Sequence, residues 1–509
     1  MTKGRFSILA CGILLAGTVI SHGQSSEMGI FAGHGEIGKP AKPGSVQFDA
    51  ARGAYLVTGG GENMWATNDA FYCVWKEASG DLTLAADIRW PSTNGHPNVH
   101  RKACLIIRQS LDSDSPYVDA ALHGNGLTSL QFRETKGGIT AEVEANFGIT
   151  AAPARIQIEK RGNYAIMSVA AEGQPLQPAG GSFRLEFKEP FYVGLAVCAH
   201  DDTVTETAEF SHVELNATPA ATRASAVGVR SALEVVPVPP SDRKVAYFTP
   251  DHIEAPNWSP DGKFFIFNKN NLLYKMATNG EPEQVNTGTL NHINNDHGIS
   301  PDGTMLAISD QTVPGGSRVY VLPIGGGAPR FLTSNAPSYF HGWSPDGKTL
   351  AFCGQRRFEV DGRNVDNFDI YTISIEGGQE KRLTTDPGKD DGPDYSPDGK
   401  FIYFNSARTG HMQVWRMNVD GSNQVQITHD ETGDVFPHPS PDGRWIVFLS
   451  YPPGAQDHPA NKDVILRLMP AAGGATRDLG KMFGGQGTIN VNSWAPNSRA
   501  VAYVSYLPF

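Results

Sequence analysis

Histidine and aspartate crowd into short segments that recur along the second half of the chain. In NNDHGISPDG, Asn294 to Gly303, the residues Asn295, Asp296 and His297 stand just ahead of Ser-Pro-Asp-Gly. That tetrapeptide suits a type I turn: proline pre-sets φ, aspartate bonds its own backbone and glycine tolerates the backbone at the turn's end. The polar residues before it serve no turn. Similar groups precede other copies: Tyr339 with His341, Asp390 with Asp391, and His438. Three imidazoles, His297, His341 and His438, with Asp296 or Asp391 beside them, have the residue types of a divalent metal site. The same groups could instead move protons near neutral pH, or simply bond backbone carbonyls along a channel. A divalent ion is therefore the cofactor at issue, and none is certain. No serine elbow, zincin helix or phosphate loop accompanies them.

The elements that must position these residues are repetitive. SPDG begins at Ser259, Ser300, Ser344, Ser396 and Ser440, and a decayed copy, APNS, begins at Ala495, at intervals of 41 to 55 residues. Such a period, with period-two alternation of β-branched and aromatic residues, predicts a β-propeller with four strands per blade. Six copies predict six blades. The last copy stops after AVAYVSY, and SALEVVPV with RKVAYFT ahead of the first copy could supply its outer strands, closing the ring. The segments before each SPDG then converge on one entrance. Two enlarged loops, Gly354 to Phe368 and Ser450 to Val464, open on the same face, and the first brings Arg356 and Arg357 over the mouth. The expected ligand-binding set is Asn295, Asp296, His297, Tyr339, His341, Asp390, Asp391, His438, Arg356 and Arg357, suited to an oligosaccharide, an acidic one if the arginines take part.

WSPDGK at Trp258 and again at Trp343, with DIYTISIEGGQEKRLT from Asp369, resembles the TolB-type propeller repeat over residues 231–509. TolB is a periplasmic adaptor that binds proteins and associates with peptidoglycan, so the resemblance implies a binding propeller. TolB's own N-terminal domain is a different α/β fold, and a Tol-system role does not transfer. Oligogalacturonate lyases, propellers with a histidine-bound metal, supply the alternative of a metal-assisted glycan lyase or hydrolase. Those have seven blades against the six expected here.

The first half differs in texture. Runs such as KACLIIRQS, YVDAALHG, LTSLQFRE and ARIQIEK, punctuated by Gly, Asn and Asp, predict an all-β sandwich over residues 28–215. Their order resembles concanavalin/laminin-G-like jelly rolls, which implies a lectin-like accessory module. His123 sits at a turn, and the aromatic residues around Trp65 to Trp90 suit a core or a sugar platform. Residues 216–230 read as a linker.

At the N-terminus Lys3 and Arg5 precede an apolar run from Phe6 to Ile20, so residues 1–23 are expected to be a cleaved signal peptide. No later run is long enough to span a membrane. Export to the periplasm or beyond is the resulting expectation. Cys73, Cys104, Cys198 and Cys353 are too few for a disulfide scaffold, although a Cys104–Cys198 bridge stays open. A formal charge of −11 gives no footprint for nucleic acid. The reading is an exported propeller that binds a glycan or a cell-envelope protein at its entrance.

Overall fold

The computed structural model describes residues 28–507 except 92–96, 146–154, 180, 182, 219–229, 241 and 361. The expected signal peptide and most of the expected linker lie outside these residues. Every described element is a strand, and no described helix is long and apolar enough to cross a membrane.

In the first half, two antiparallel sheets share one core. One runs Gly33–Ile37, Phe71–Ala78, Phe191–Cys198, Lys102–Arg108, Tyr117–His123, Thr128–Arg133 and Ala141–Ala145 in spatial order. The other is centred on Arg155–Arg161, Asp81–Arg89, Glu206–Thr218 and Ala54–Gly59. Period-two alternation points Leu105, Ala120 and Leu130 from the first sheet, and Leu84, Ile156 and Ile158 from the second, into that common core. The four cysteines among the described residues, Cys73, Cys104, Cys198 and Cys353, are free and buried, so Cys104 and Cys198 form no bridge.

The second half holds five four-stranded antiparallel sheets, whose inner strands are Ile253–Trp258, Ile293–Ile299, Ser338–Trp343, Asp390–Tyr395 and Gly433–Pro439. The SPDG turns explain their uniformity. In each, the serine hydroxyl donates to the aspartate two residues on, at 2.6 to 2.7 Å. It also accepts the N–H five residues on, as from Phe264, Met305 and Phe401. The glycine takes a left-handed φ, between +68° and +76°, which only a residue without Cβ adopts cheaply.

The expectation of six blades is corrected to five. The approach to APNS curls rather than running as a strand: Gly485 and Gly487 have φ of +109° and +94°, and the N–H of Gly487 bonds the Asn490 side chain at 2.7 Å. A bridge between Trp494 and Val501 and single bonds from the N–H groups of Ala502 to Ser493 and of Val504 to Thr488 join it to the last strand, without forming a ladder. That strand, Ala500–Leu507, pairs antiparallel with Arg230–Pro237, which pairs with Arg243–Thr249. The trio packs against Ile253–Trp258 and Arg477–Gly485, so the two ends of the propeller region do meet. It is not a separate sheet, because Arg243–Thr249 also pairs in parallel with Ala141–Ala145 and continues the first sheet of the N-terminal half. Lys481 with Glu134 at 2.7 Å, and Tyr164 donating to Asp463, tie the halves further.

Each inner strand carries a register shift: between Glu254 and Asn257, Ile293 and His297, Phe340 and Gly342, Asp391 and Asp394, and Val435 and His438. Such bulges unpair a few residues and re-aim their side chains. Here the released Asn294, Asn295, Asp296, His341 and Phe436 line one cavity at the entrance.

Candidate functional site

The bulge of the second blade frees Asn294, Asn295 and Asp296. With Tyr339 and His341, Lys389 and Asp391, Phe436, and Gln486 and Asn490, they enclose an entrance cavity of about 310 Å3. Phe368 and His458 complete the wall from the two hairpins that rise beside it.

Asp391 organises one side. One of its oxygens lies 3.2 Å from His341 Nε2, and the other lies 3.0 Å from His458 Nε2 and 3.4 Å from Lys389 Nζ. Burial alone would raise its pKa, but the Lys389 ammonium and the two imidazoles outweigh that and hold it well below the usual carboxylate range. Burial likewise opposes the charged form of His341, yet the carboxylates of Asp296 and Asp391 raise its pKa above the ordinary histidine value. Asp296, across the cavity, goes the other way: burial raises its pKa, His341 opposes, and the charge of Asp391 adds to the rise. Its Oδ2 accepts from Asn294 Nδ2 at 2.9 Å, while Oδ1 is buried without a hydrogen-bond partner among the described residues. Glu254, bonded by Asn295 at 3.2 Å, is pushed up to about 7 by burial. Two aspartates in one cavity thus differ in role: one is fixed by cations, the other is open to a donor.

The walls are aromatic. Phe436 lies with its ring 6.0 Å from that of His341 and 4.9 Å from that of His458. Such a cavity can grip a polar, ring-shaped or side-chain-sized group by its faces and edges.

The structure gathers Asn295, Asp296, Tyr339, His341 and Asp391 here and disperses the rest of the expected set. His297, after the bulge, lines a separate cavity of about 430 Å3 among the SPDG prolines. It is fully buried, neither ring nitrogen has a partner among the described residues, and burial pushes its pKa down to about 4. Asp390 turns away to Arg408, at 2.9 and 3.0 Å. His438 is fully engaged, with Nδ1 3.0 Å from Asp394 and Nε2 2.7 Å from the Ile489 carbonyl. The three histidines therefore share no open point for an ion, and no group of three or more metal-binding side chains is arranged to hold one among the described residues. A metal does not fit the proposed trio.

The arginines do not overhang the mouth. The enlarged segment is a continuous hairpin in which Arg356 pairs with Asn367 and Arg357 with Asp366. Arg356 donates to both Glu380 oxygens at 2.7 Å and to the Pro337 carbonyl at 2.8 Å, and Arg357 forms an exposed pair with Asp366 at 2.9 Å. Lys389, Gln486 and His458 replace them. Lys389 was signalled by its place directly before two aspartates, and His458 by its place in the second enlarged loop. Nothing local marks Gln486.

Comparison with known proteins places this architecture. The TolB beta propeller domain family, PD40, matches residues 356–507. An uncharacterized protein of Agrobacterium fabrum is 48% identical over 282 residues, which are 55% of this chain and 94% of that protein. A solved Agrobacterium tumefaciens structure assigned to TolB is 49% identical, with a TM-score of 0.52, over 56% of this chain and all of that one. The Tol-Pal system protein TolB of Francisella tularensis is 28% identical over 181 residues, and the match spans only 38% of its length. With its ring of SPDG-turned sheets and these relatives, the chain belongs to the TolB-type PD40 β-propeller family.

Proposed function

We propose that this is an exported binding protein whose propeller entrance takes up a polar group of a glycan or of a cell-envelope protein. In this reading residues 231–509 are the binding domain, and residues 28–215 a concanavalin-like accessory domain linked through 216–230. The observation that carries it is the entrance cavity itself: aromatic walls, an ordered Asp391–His341–His458–Lys389 cluster, and an Asp296 oxygen left free to accept a hydrogen bond. A buried acceptor without a partner costs stability, and a ligand donor would recover it. A relative carries the name Tol-Pal system protein, which supports a protein partner in the envelope. The cluster is nearly balanced in charge, which favours a neutral or hydrogen-bonding group over a polyanion.

The test is calorimetric titration of the full chain with soluble peptidoglycan fragments and with purified envelope proteins. Asp296→Ala and His341→Ala should each weaken binding about tenfold or more, as expected for a hydrogen bond involving a charged group. Unchanged affinity in both variants would refute the entrance as the site.

A further inference from the structure

Far from the entrance, the first sheet of the N-terminal half is buried on both faces. In Lys102–Arg108, Tyr117–His123 and Thr128–Arg133 no residue is exposed. One face packs on the second sheet. The opposite face carries polar side chains in register: Gln131 stands opposite Asp119 on one neighbour and Glu142 on the other, and Lys102 stands opposite His123. Directly opposed residues of neighbouring strands have side chains roughly 5 Å apart, so Asp119, Gln131 and Glu142 form one cross-strand row. Asp119 is 0% exposed, Gln131 1% and His123 4%.

The row satisfies itself only in part. Gln131 Nε2 donates to Glu142 at 3.1 Å and to Ser129 at 3.2 Å, and lies 3.3 Å from His123 Nε2. Both oxygens of Asp119, Oε1 of Gln131 and Nδ1 of His123 have no hydrogen-bond partner among the described residues. Four unpaired buried atoms on one patch are a large cost for a native sheet. The same face shows that the fold can do otherwise: two residues along each strand, Arg133 clamps Asp69 with bonds of 2.8 and 2.7 Å. Histidine rings stand at the outer edge of the patch: that of His100, which is exposed, lies 6.2 Å from that of His123 and 5.5 Å from that of His200.

The chemistry of the patch selects its ligand. Burial pushes Asp119 up to about 8 against the pull of Lys102, and burial with the nearby Lys102 pushes His123 down to about 3. Near pH 7 both are neutral. Lys102 already spends two of its three N–H donors on Asn63 and the Met64 carbonyl, at 3.0 and 3.3 Å, which leaves little cationic capacity for an anion beside Asp119 and Gln131. Groups that both donate and accept match such a floor, and these are hydroxyls.

We propose that this face of the first sheet is a second ligand site, taking a neutral hydroxyl-rich molecule of saccharide type through Asp119, Gln131 and His123 and reached past His100 and His200. It stands apart from the entrance reading and does not depend on it. The test titrates the full chain with glucose, galactose, maltose, lactose and inositol, with glucuronate as the charged counterpart, followed by saturation-transfer NMR and thermal melts. At least one neutral compound should bind more tightly than glucuronate, and Asp119→Leu, which keeps the branching of the side chain, should weaken it at least tenfold. Because the only protein donor set against this carboxyl among the described residues is the weak Cys104 thiol, the Tm of Asp119→Leu should equal or exceed that of the wild type. If that variant does not fold, Asp119→Ala is read in the same way. Absence of binding by every neutral compound leaves a bank of buried water and overturns the proposal. So does binding that survives in the Asp119 variant, or that is lost only in Asp296→Ala, which would place the sugar at the entrance.

Discussion

Asp391 at the propeller entrance and Asp119 in the N-terminal sheet are carboxylates of similar depth, and their surroundings are built in opposite ways. Asp391 meets two imidazoles and an ammonium, so its charge is held and its neighbours are held by it. Asp119 meets no hydrogen-bond partner among the described residues, so its charge is suppressed and nothing is fastened by it. Burial acts on both; the partners decide the outcome. A cluster that satisfies itself fixes the shape of a cavity, whereas a cluster left unsatisfied lowers stability unless something fills it. The first is a frame and the second is a socket.

The largest effect should come from breaking the frame. Asp391→Ala strips the shared acceptor from Lys389, His341 and His458 and leaves cationic groups buried. Losses of about 3–5 kcal/mol are usual when one partner of a buried charge cluster is removed. Urea unfolding should show a loss in that range for Asp391→Ala and none for Asp119→Leu. A loss below about 1 kcal/mol at Asp391 would break the contrast.

Acid titration sharpens it. The folded pKa of Asp119, about 8, lies above the ordinary 3.8, so its contribution is fully present below about pH 4 and is lost as pH rises toward 8. Asp391 has the opposite sign: its pKa is depressed, and its contribution is lost on acidification below the ordinary carboxylate range. Lys102, Glu142, Asp69 and Cys104 are the groups that bear on Asp119. Melting curves between pH 4 and 8 should therefore fall less steeply in Asp119→Leu than in the wild type, by at most about 1.4 kcal/mol per pH unit. Identical slopes would show that Asp119 is already paired.

The two clusters were unequally legible in the sequence. The SPDG period announced the propeller because each turn needs the same serine, aspartate and glycine in the same places. It also located Asp296, His341 and Asp391, since they sit three to five residues before those turns. The inner-strand bulges were not visible. They send Asp296 into the entrance and His297 into the opposite cavity, although the two are adjacent in the chain. The sixth blade failed for a related reason: APNS kept the turn pattern, while the glycines at 485 and 487 curl the approach that should have been its inner strand. The row through Asp119 was hidden because YVDAALH reads as an ordinary strand with one aspartate. Only the register against Gln131 and Glu142, set by neighbouring hairpins, makes it a patch.

The smallest effects concern the arginines that the sequence placed over the mouth. Arg356 and Arg357 are neighbours on one strand and therefore point to opposite faces of the hairpin. Arg356 turns inward, with its side chain 11% exposed and bonded to Glu380, Ser338 and the Pro337 carbonyl. Removing it leaves the partly buried Glu380 carboxylate with the Asn335 amide and the Pro337 carbonyl with the Gln355 N–H as remaining donors, so Arg356→Ala should cost about 1–3 kcal/mol. Arg357 and Asp366 meet in solvent, where Coulomb attraction is screened and side-chain ordering offsets it. Arg357→Ala should be indistinguishable from the wild type in urea unfolding at any salt concentration. Neither side chain lines the entrance cavity, so neither change should alter the affinity or the salt dependence of binding there. A salt-sensitive loss of affinity in Arg357→Ala would restore the arginines to the mouth and with them the case for an acidic glycan.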